Sequence, residues 1–323
     1  MENRTNWLWM RAMAIIGVIA IHSTANSVSL ISFPGVFFLL INQVSRFAVP
    51  TFLIASGFGL TVSKKYNEPY FLFLYNRLKK IIIPYVLWSA IYFILSGGES
   101  VTIFLANLVL GLNYSHLYYV VILVFFYVTY PFFYKVASIK PGIQLITTIS
   151  ICSQLMAFIP GYFFWNTSLN VISWCLFFSF GIFLAKSNMS LSINPVTLFG
   201  GSAILMLLST IIILSFRGGE IATTTLRPSV SLYSFFFVMM MLSFKIKKES
   251  IIINFFAKNS FQIYLSHGLF LAVMSKALFK VGANASSFMY VLICFVGTLI
   301  LTSIFVYFLN NVNLLLNNLN TDK

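Results

Sequence analysis

Apolar residues run through this chain in stretches of about 17 to 25, the length a helix needs to cross the hydrocarbon of a bilayer. Ten such stretches stand out, near 7–26, 35–61, 81–97, 116–135, 142–160, 170–187, 195–216, 229–245, 260–279 and 286–310. A shorter run at 101–112 reads as an interfacial or re-entrant piece. Polar residues gather in short loops between the stretches, and no large soluble domain, linker, low-complexity tract or repeat interrupts them. The small polar run Ser23-Thr24-Ala25-Asn26-Ser27 has the look of a cleavage site, but its stretch is entered through Trp7, Trp9 and Arg11 and many spans follow. It is read as a retained helix. The pattern predicts an all-α polytopic membrane protein of about ten transmembrane helices, a single domain over residues 1–323.

Composition sharpens that picture. With 59% hydrophobic and 8% charged residues, too little polar surface remains to cover a water-soluble fold. A net charge of +14 invites a nucleic-acid reading, yet the basic residues sit between apolar runs and not on one continuous face, so no nucleic-acid partner is expected. Their distribution instead orients the helices. With the N-terminus inside, fifteen of the twenty lie on the cytoplasmic side: Arg4, Arg11, Lys64, Lys65, Arg77, Lys79, Lys80, Lys135, Lys140, Lys186, Lys245, Lys247, Lys248, Lys258 and Lys323. Arg217, Arg227, Lys276 and Lys280 fall outside, and Arg46 lies within a span. Since short cytoplasmic loops carry the basic excess, both termini are placed in the cytoplasm. Cys152, Cys175 and Cys294 all fall in apolar runs without CxxC spacing, which argues for neither a disulfide framework nor a metal site.

Ionisable residues inside a bilayer are expensive and therefore informative. The six acidic residues, Glu2, Glu68, Glu99, Glu220, Glu249 and Asp322, all fall in loops or tails, which disfavours a transporter built on acidic relays. Arg11 and His22 are eleven residues apart, close to three whole turns, so they share a helix face about 16 Å apart. One reading has Arg11 gripping phosphate at the cytoplasmic mouth and His22 acting deeper as a base or acyl acceptor. The other has Arg11 snorkelling to headgroups and His22 bonding a neighbouring helix. Arg46 sits too deep for easy snorkelling, and Pro50 is expected to break the helix just below it, a combination suited to an anion chamber or to a structural arginine. Arg77-Leu78-Lys79-Lys80 precedes Pro84-Tyr85 at the cytoplasmic surface, where it either meets anionic lipid or holds the phosphates of a nucleotide-like donor. His116 reads as an interfacial packing residue, and His267, about two turns into the ninth span, as helix bonding or site support.

Four stretches together resemble the acyltransferase 3 family, bacterial membrane acyltransferases that modify cell-envelope glycans. They are Arg11 with ten residues to His22; Phe47-Ala48-Val49-Pro50 through Ser56-Gly57-Phe58; the basic run ending at Pro84-Tyr85; and Asn259-Ser260 through Ile263-Tyr264 to Ser266-His267. Lys80 stands where the family commonly has the second arginine of an Arg-x-x-Arg pair. The chain ends at Lys323 without the soluble esterase-like domain of many relatives, and so is similar to stand-alone members acting on exopolysaccharide, capsule or O-antigen units.

The resemblance implies a multi-pass protein of the bacterial inner membrane that transfers an acyl group, most often acetyl, from cytoplasmic acyl-CoA to a sugar hydroxyl of a surface polysaccharide or its lipid-linked precursor. It implies His22 as the catalytic group, either acylated or deprotonating the acceptor. Arg11 and Arg46 would bind donor phosphate or polarise the thioester, with Arg77, Lys79 and Lys80 at the acyl-CoA and Ser56, Tyr264, His267 and Asn42 as site support. No permanent cofactor is expected; acyl-CoA, a glycan or lipid-linked glycan and membrane lipid are the expected partners, and a homo-oligomer is left open. The alternative is an exporter of a polysaccharide or lipid-linked sugar.

Overall fold

A computed structural model describes residues 4–29, 32–64, 67–98, 100–159, 168–187, 189, 191–217, 219–248 and 250–321. Glu2, Lys65, Glu99, Glu249, Asp322 and Lys323 lie outside the described residues, as do the side chains of Arg217 and Glu220. Every regular element among the described residues is helical. In chain order these are α1 (Arg4–Thr24), α2 (Phe33–Val44), α3 (Ala48–Val62), α4 (Tyr70–Leu95), α5 (Val101–Leu110), α6 (Tyr118–Val128), α7 (Tyr130–Ala137), α8 (Lys140–Met156), α9 (Val171–Lys186), α10 (Pro195–Arg217), α11 (Gly219–Thr223), α12 (Pro228–Ser243), α13 (Ile251–Lys258), α14 (Ser260–Lys280) and α15 (Phe288–Thr321).

Six helical stretches among the described residues are long and apolar enough to cross a membrane: Arg4–Ser27, Phe33–Val62, Tyr70–Leu95, Pro195–Phe216, Ile221–Ser243 and Phe288–Val312. The pair α6 and α7, bent by 69°, adds a seventh if it is one broken span. Pro131 opens α7, and a proline there lacks the N–H and crowds the carbonyl four residues back, which accounts for the bend. The remaining expected stretches carry α8, α9 and α14. At 17 and 16 residues α8 and α9 reach only ~24–26 Å, while α14 is long enough but diluted by serines, Gln262, His267 and Lys276.

Two local expectations are corrected. The second span breaks not at Pro50 but at a 3-10 turn, Ser45–Phe47, that contains Arg46. Pro50 lies in the first turn of α3, where the missing N–H has no intrahelical acceptor to lose. The third helix begins at Tyr70, not near residue 81, so Arg77, Lys79 and Lys80 lie on α4 and not in a loop before it.

The chain divides into two compact units, one of Met1–Met10 with Arg46–Lys247, the other of Arg11–Ser45 with Lys248–Lys323. In the first, α3 and α9 pack through paired glycines. A Cβ on Gly57 would stand 2.2 Å from the Phe178 carbonyl oxygen, and one on Gly181 would stand 2.0 Å from that of Ile54. Small residues let backbones approach where no solvent drives helices together. Polar side chains join the neighbouring helices: Gln154 Nε2 of α8 donates to the Ser173 carbonyl of α9 at 3.1 Å, and Ser231 Oγ of α12 donates to Gln154 Oε1 at 3.0 Å. In the second unit α14 lies along α15, with Asn310 Nδ2 donating to Asn259 Oδ1 at 3.0 Å and Ser275 and Tyr290 hydroxyls 2.6 Å apart.

Gly181→Ala is therefore expected to lower stability by about 1–3 kcal/mol, because the carbonyl it meets cannot move without shifting α3. Gly200→Ala, on α10 with nothing within 4 Å of the added carbon, should leave stability unchanged or raise it. Thermal unfolding of the two variants in detergent measures the contrast.

Candidate functional site

The second unit gathers five of the residues singled out in the sequence: Arg11, His22, Asn42, Tyr264 and His267. Arg11 and His22 lie on one face of α1, and each meets a residue of α14. Arg11 Nη2 donates to Ser260 Oγ at 3.0 Å, and Ser260 Oγ in turn donates to the Ala257 carbonyl at 3.0 Å. Three turns along α1, the His22 ring stands 5.1 Å from that of His267, tilted by 49°. Ser260 and His267 are seven residues apart, about two turns, so they share a face of α14 as Arg11 and His22 share one of α1. Since both pairings advance from N- to C-terminus on both helices, the two run parallel here.

His267 is fully buried and its Nδ1 lies 2.6 Å from the Tyr264 carbonyl oxygen. A carbonyl only accepts, so Nδ1 carries the proton and, in the neutral ring, Nε2 is left with the lone pair. Tyr264 is itself buried, its ring 5.8 Å from that of His267. His22 is half-buried, which keeps its ring within reach of a ligand. Asn42 of α2 grips α1 on both sides of it: Nδ2 donates to the Ile21 carbonyl and to Thr24 Oγ1, each at 3.1 Å. Thr24 Oγ1 donates to the Ala20 carbonyl at 2.8 Å, so the turn carrying His22 is fixed from two directions.

The first unit holds the other singled-out residues. Arg46 is half-buried, its Nη1 donating to Thr225 Oγ1 at 3.4 Å, with the Tyr118 hydroxyl in electrostatic reach. Arg227, two residues after Thr225, is fully buried and within electrostatic reach of Arg46. Its Nε donates to the Thr224 carbonyl at 3.2 Å and its Nη2 to Thr210 Oγ1 at 3.0 Å. Sequence reading placed Arg227 among loop charges on the outer side. The available signal was its position directly before Pro228, a cation where helix starts favour an acceptor.

On α4, Arg77 is half-buried while Lys79 and Lys80 are exposed, and Lys79 Nζ lies 4.6 Å over the Tyr75 ring. Ser56 is half-buried on α3, next to the glycine that meets α9. His116 is buried, its ring 5.4 Å from that of Tyr92 and 5.3 Å from that of Tyr114, each edge-on, a packed aromatic cluster ahead of α6. Among the described residues no three His, Cys, Asp or Glu side chains converge as metal ligands.

The arrangement in the second unit suits proton or acyl handling. One imidazole is fixed in a single tautomer by a backbone carbonyl, a second, half-buried, stands 5.1 Å from it, and a guanidinium sits about three turns away on the helix of the second.

Comparison with curated proteins and with solved structures gave no match. A family model described as an acyltransferase domain, that of the acyltransferase 3 family, matches residues 6–307. That match takes in α1 with Arg11 and His22, the α3–α9 packing and α14 with Ser260 and His267, and it shows that this multi-pass membrane protein belongs to the acyltransferase 3 family.

Proposed function

We propose that the chain transfers an acyl group, acetyl in the first instance, from cytoplasmic acyl-CoA to a hydroxyl of a cell-surface polysaccharide or its lipid-linked precursor at the bacterial inner membrane. The observation that carries this reading is the pair of imidazoles, His22 and His267, 5.1 Å apart on helices that Arg11 and Ser260 also join. In the same reading α8, α9 and α14 also cross the bilayer, giving ten crossings with both termini on the cytoplasmic side.

His22 has two chemically sound roles. As a general base it takes the proton of the sugar hydroxyl while that oxygen attacks the thioester carbonyl; the C–S bond breaks and the thiolate leaves to be protonated. As a nucleophile its unprotonated ring nitrogen attacks the thioester carbonyl and the C–S bond breaks to release the CoA thiolate; the sugar hydroxyl then attacks the acyl-imidazole, giving up its proton as the C–N bond breaks and the imidazole is regenerated. Either role needs a neutral imidazole with one unprotonated nitrogen, and no carboxylate occurs in the expected spans to orient it. His267, locked by the Tyr264 carbonyl, and Asn42, holding the turn of α1, supply that order instead. Arg11 and Arg46 would grip donor phosphate or polarise the thioester carbonyl. Arg77, Lys79 and Lys80, on one segment of α4, would hold the phosphates of the CoA.

Proteoliposomes given radiolabelled acetyl-CoA on one side and glycan on the other are expected to pass label to the glycan. His22→Ala should reduce that transfer about 100-fold or more, and a variant as active as the parent would remove His22 from the mechanism. Glycan crossing the membrane unlabelled would favour an exporter instead.

Arg11→Lys and Arg46→Lys should each lose about tenfold or more in transfer while inserting normally, because lysine keeps the charge but not the planar fork. Equal losses in insertion and transfer, followed by protease protection of the inserted chain, would mark the arginine as structural.

A further inference from the structure

The first unit holds a cleft of about 370 Å³, away from the residues described above and within the roughly 300–1,000 Å³ typical of small-molecule sites. Two helices bring their C-terminal ends to it. α4 ends at Leu95, and Gly97, in the left-handed region at φ 77°, turns the chain so that Ser96 and the Gly97-Gly98 backbone form one wall. α5 ends at Leu110, where Gly111 at φ 69° closes the helix and the Leu112 N–H donates to the Asn107 carbonyl at 2.8 Å. Asn107 and Asn113, on either side of that turn, both line the cleft. The Phe93 ring covers Gly98, where an added Cβ would stand 2.2 Å from it, and supplies an aromatic wall.

Asn113 gives the cleft its chemistry. The residue is 7% exposed, and its Nδ2 donates to the Phe104 carbonyl at 3.4 Å. A carbonyl only accepts, so this contact orients the amide; the other end, Oδ1, is buried with no hydrogen-bond partner among the described residues. Buried acceptors are nearly always answered, so this one calls for a donor, and the long bond to Phe104 lets the amide turn toward an entering ligand. Charge narrows the choice. No Lys or Arg occurs between Lys80 and Lys135, and helix C-termini carry partial negative charge, so a phosphate or carboxylate would find no counter-charge. Glu99 is the one acidic residue in that stretch, and a carboxylate has no proton for Asn113 Oδ1. An inorganic cation would leave most of the volume unfilled. Neutral hydroxyls on a ring with an apolar face match two amides, a serine and a phenylalanine, which is the chemistry of a pyranose sugar.

We propose that the cleft between the ends of α4 and α5 binds a neutral pyranose, with Asn113 and Asn107 bonding its hydroxyls and Phe93 lying against its ring. Arg77, Lys79 and Lys80 lie on α4 roughly 24–29 Å before Ser96. With those basic residues in the cytoplasm, the cleft lies at the outer end of α4, where a surface polysaccharide or its lipid-linked precursor is met. The pyranose is therefore a sugar of the acceptor glycan, and only this assignment rests on the acyl-transfer reading above. A glycan extends past the hydroxyl that reacts, so a subsite for one of its other sugars acts by holding the chain.

The test uses the full chain purified in a detergent with no sugar headgroup, without acyl-CoA. Saturation-transfer NMR is recorded with the methyl glycosides of glucose, galactose, mannose, rhamnose and N-acetylglucosamine, and with glucose 6-phosphate as the charged competitor. At least one neutral glycoside should show saturable transfer from the parent chain, undisturbed by glucose 6-phosphate. Asn113→Leu should weaken that binding about fivefold or more. Should Asn113→Leu fail to fold, Asn107→Leu, at the half-buried position, must show the same loss. No saturable transfer to any of the five, displacement by glucose 6-phosphate, or unchanged affinity in a folded Asn113→Leu or Asn107→Leu chain overturns the site. The acceptor assignment is read separately in the label-transfer assay, where Asn107→Leu should raise the KM for glycan more than it lowers kcat. An unchanged KM overturns that assignment and leaves the sugar site. A parent that transfers no label sinks the acyl-transfer reading and the assignment with it, while the binding result, read without turnover, stands.

Discussion

Lipid offers no hydrogen bonds, so a polar side chain carried into a bundle of apolar helices must be answered by another helix. That constraint organises this molecule. Arg11 is answered by Ser260, and Asn42 binds the backbone beside His22. Gln154 joins α8 to α9 and α12. Each such contact fixes the register of two helices as well as satisfying a donor, which is how a chain so rich in hydrophobic residues acquires one arrangement instead of many. The same contacts place chemistry. His22 is held between Asn42's grip on α1 and the ring of His267, and the tautomer of that second ring is set by the Tyr264 carbonyl.

Much of this was legible in the sequence because helical period is a strict ruler. Eleven residues between Arg11 and His22 and seven between Ser260 and His267 each come close to whole turns, so shared faces follow from counting. Counting could not show that the two faces meet, since α1 and α14 lie more than 200 residues apart and only tertiary packing decides it. The Ser56-Gly57-Phe58 stretch was read as a motif, but the demand on Gly57 comes from the Phe178 carbonyl of α9, which no local pattern reveals.

Where proline and charge were read locally, the structure differed for definable reasons. Pro50 has no donor to lose in a first turn, so the helix breaks upstream, at the turn bearing Arg46. Pro131, set inside an otherwise continuous apolar run, does break it. The basic cluster Arg77, Lys79 and Lys80 was read as loop because the charges were taken to end the apolar run; α4 runs through them from an apolar first segment, Tyr70-Phe71-Leu72-Phe73-Leu74-Tyr75. Arg227 was counted only for its side of the membrane, since the charge it faces, Arg46, is 181 positions away in the chain.

Access distinguishes the three histidines: His116 and His267 are buried, whereas His22 is half-buried. Diethyl pyrocarbonate, which modifies neutral imidazoles from solution, can therefore be used on the reconstituted chain with mass spectrometry reporting modification at each histidine and label transfer measured on the same samples. Transfer should fall in step with modification of His22, and acyl-CoA should slow that modification. Full transfer by chains carrying the adduct on His22 would contradict the assignment of the reacting group.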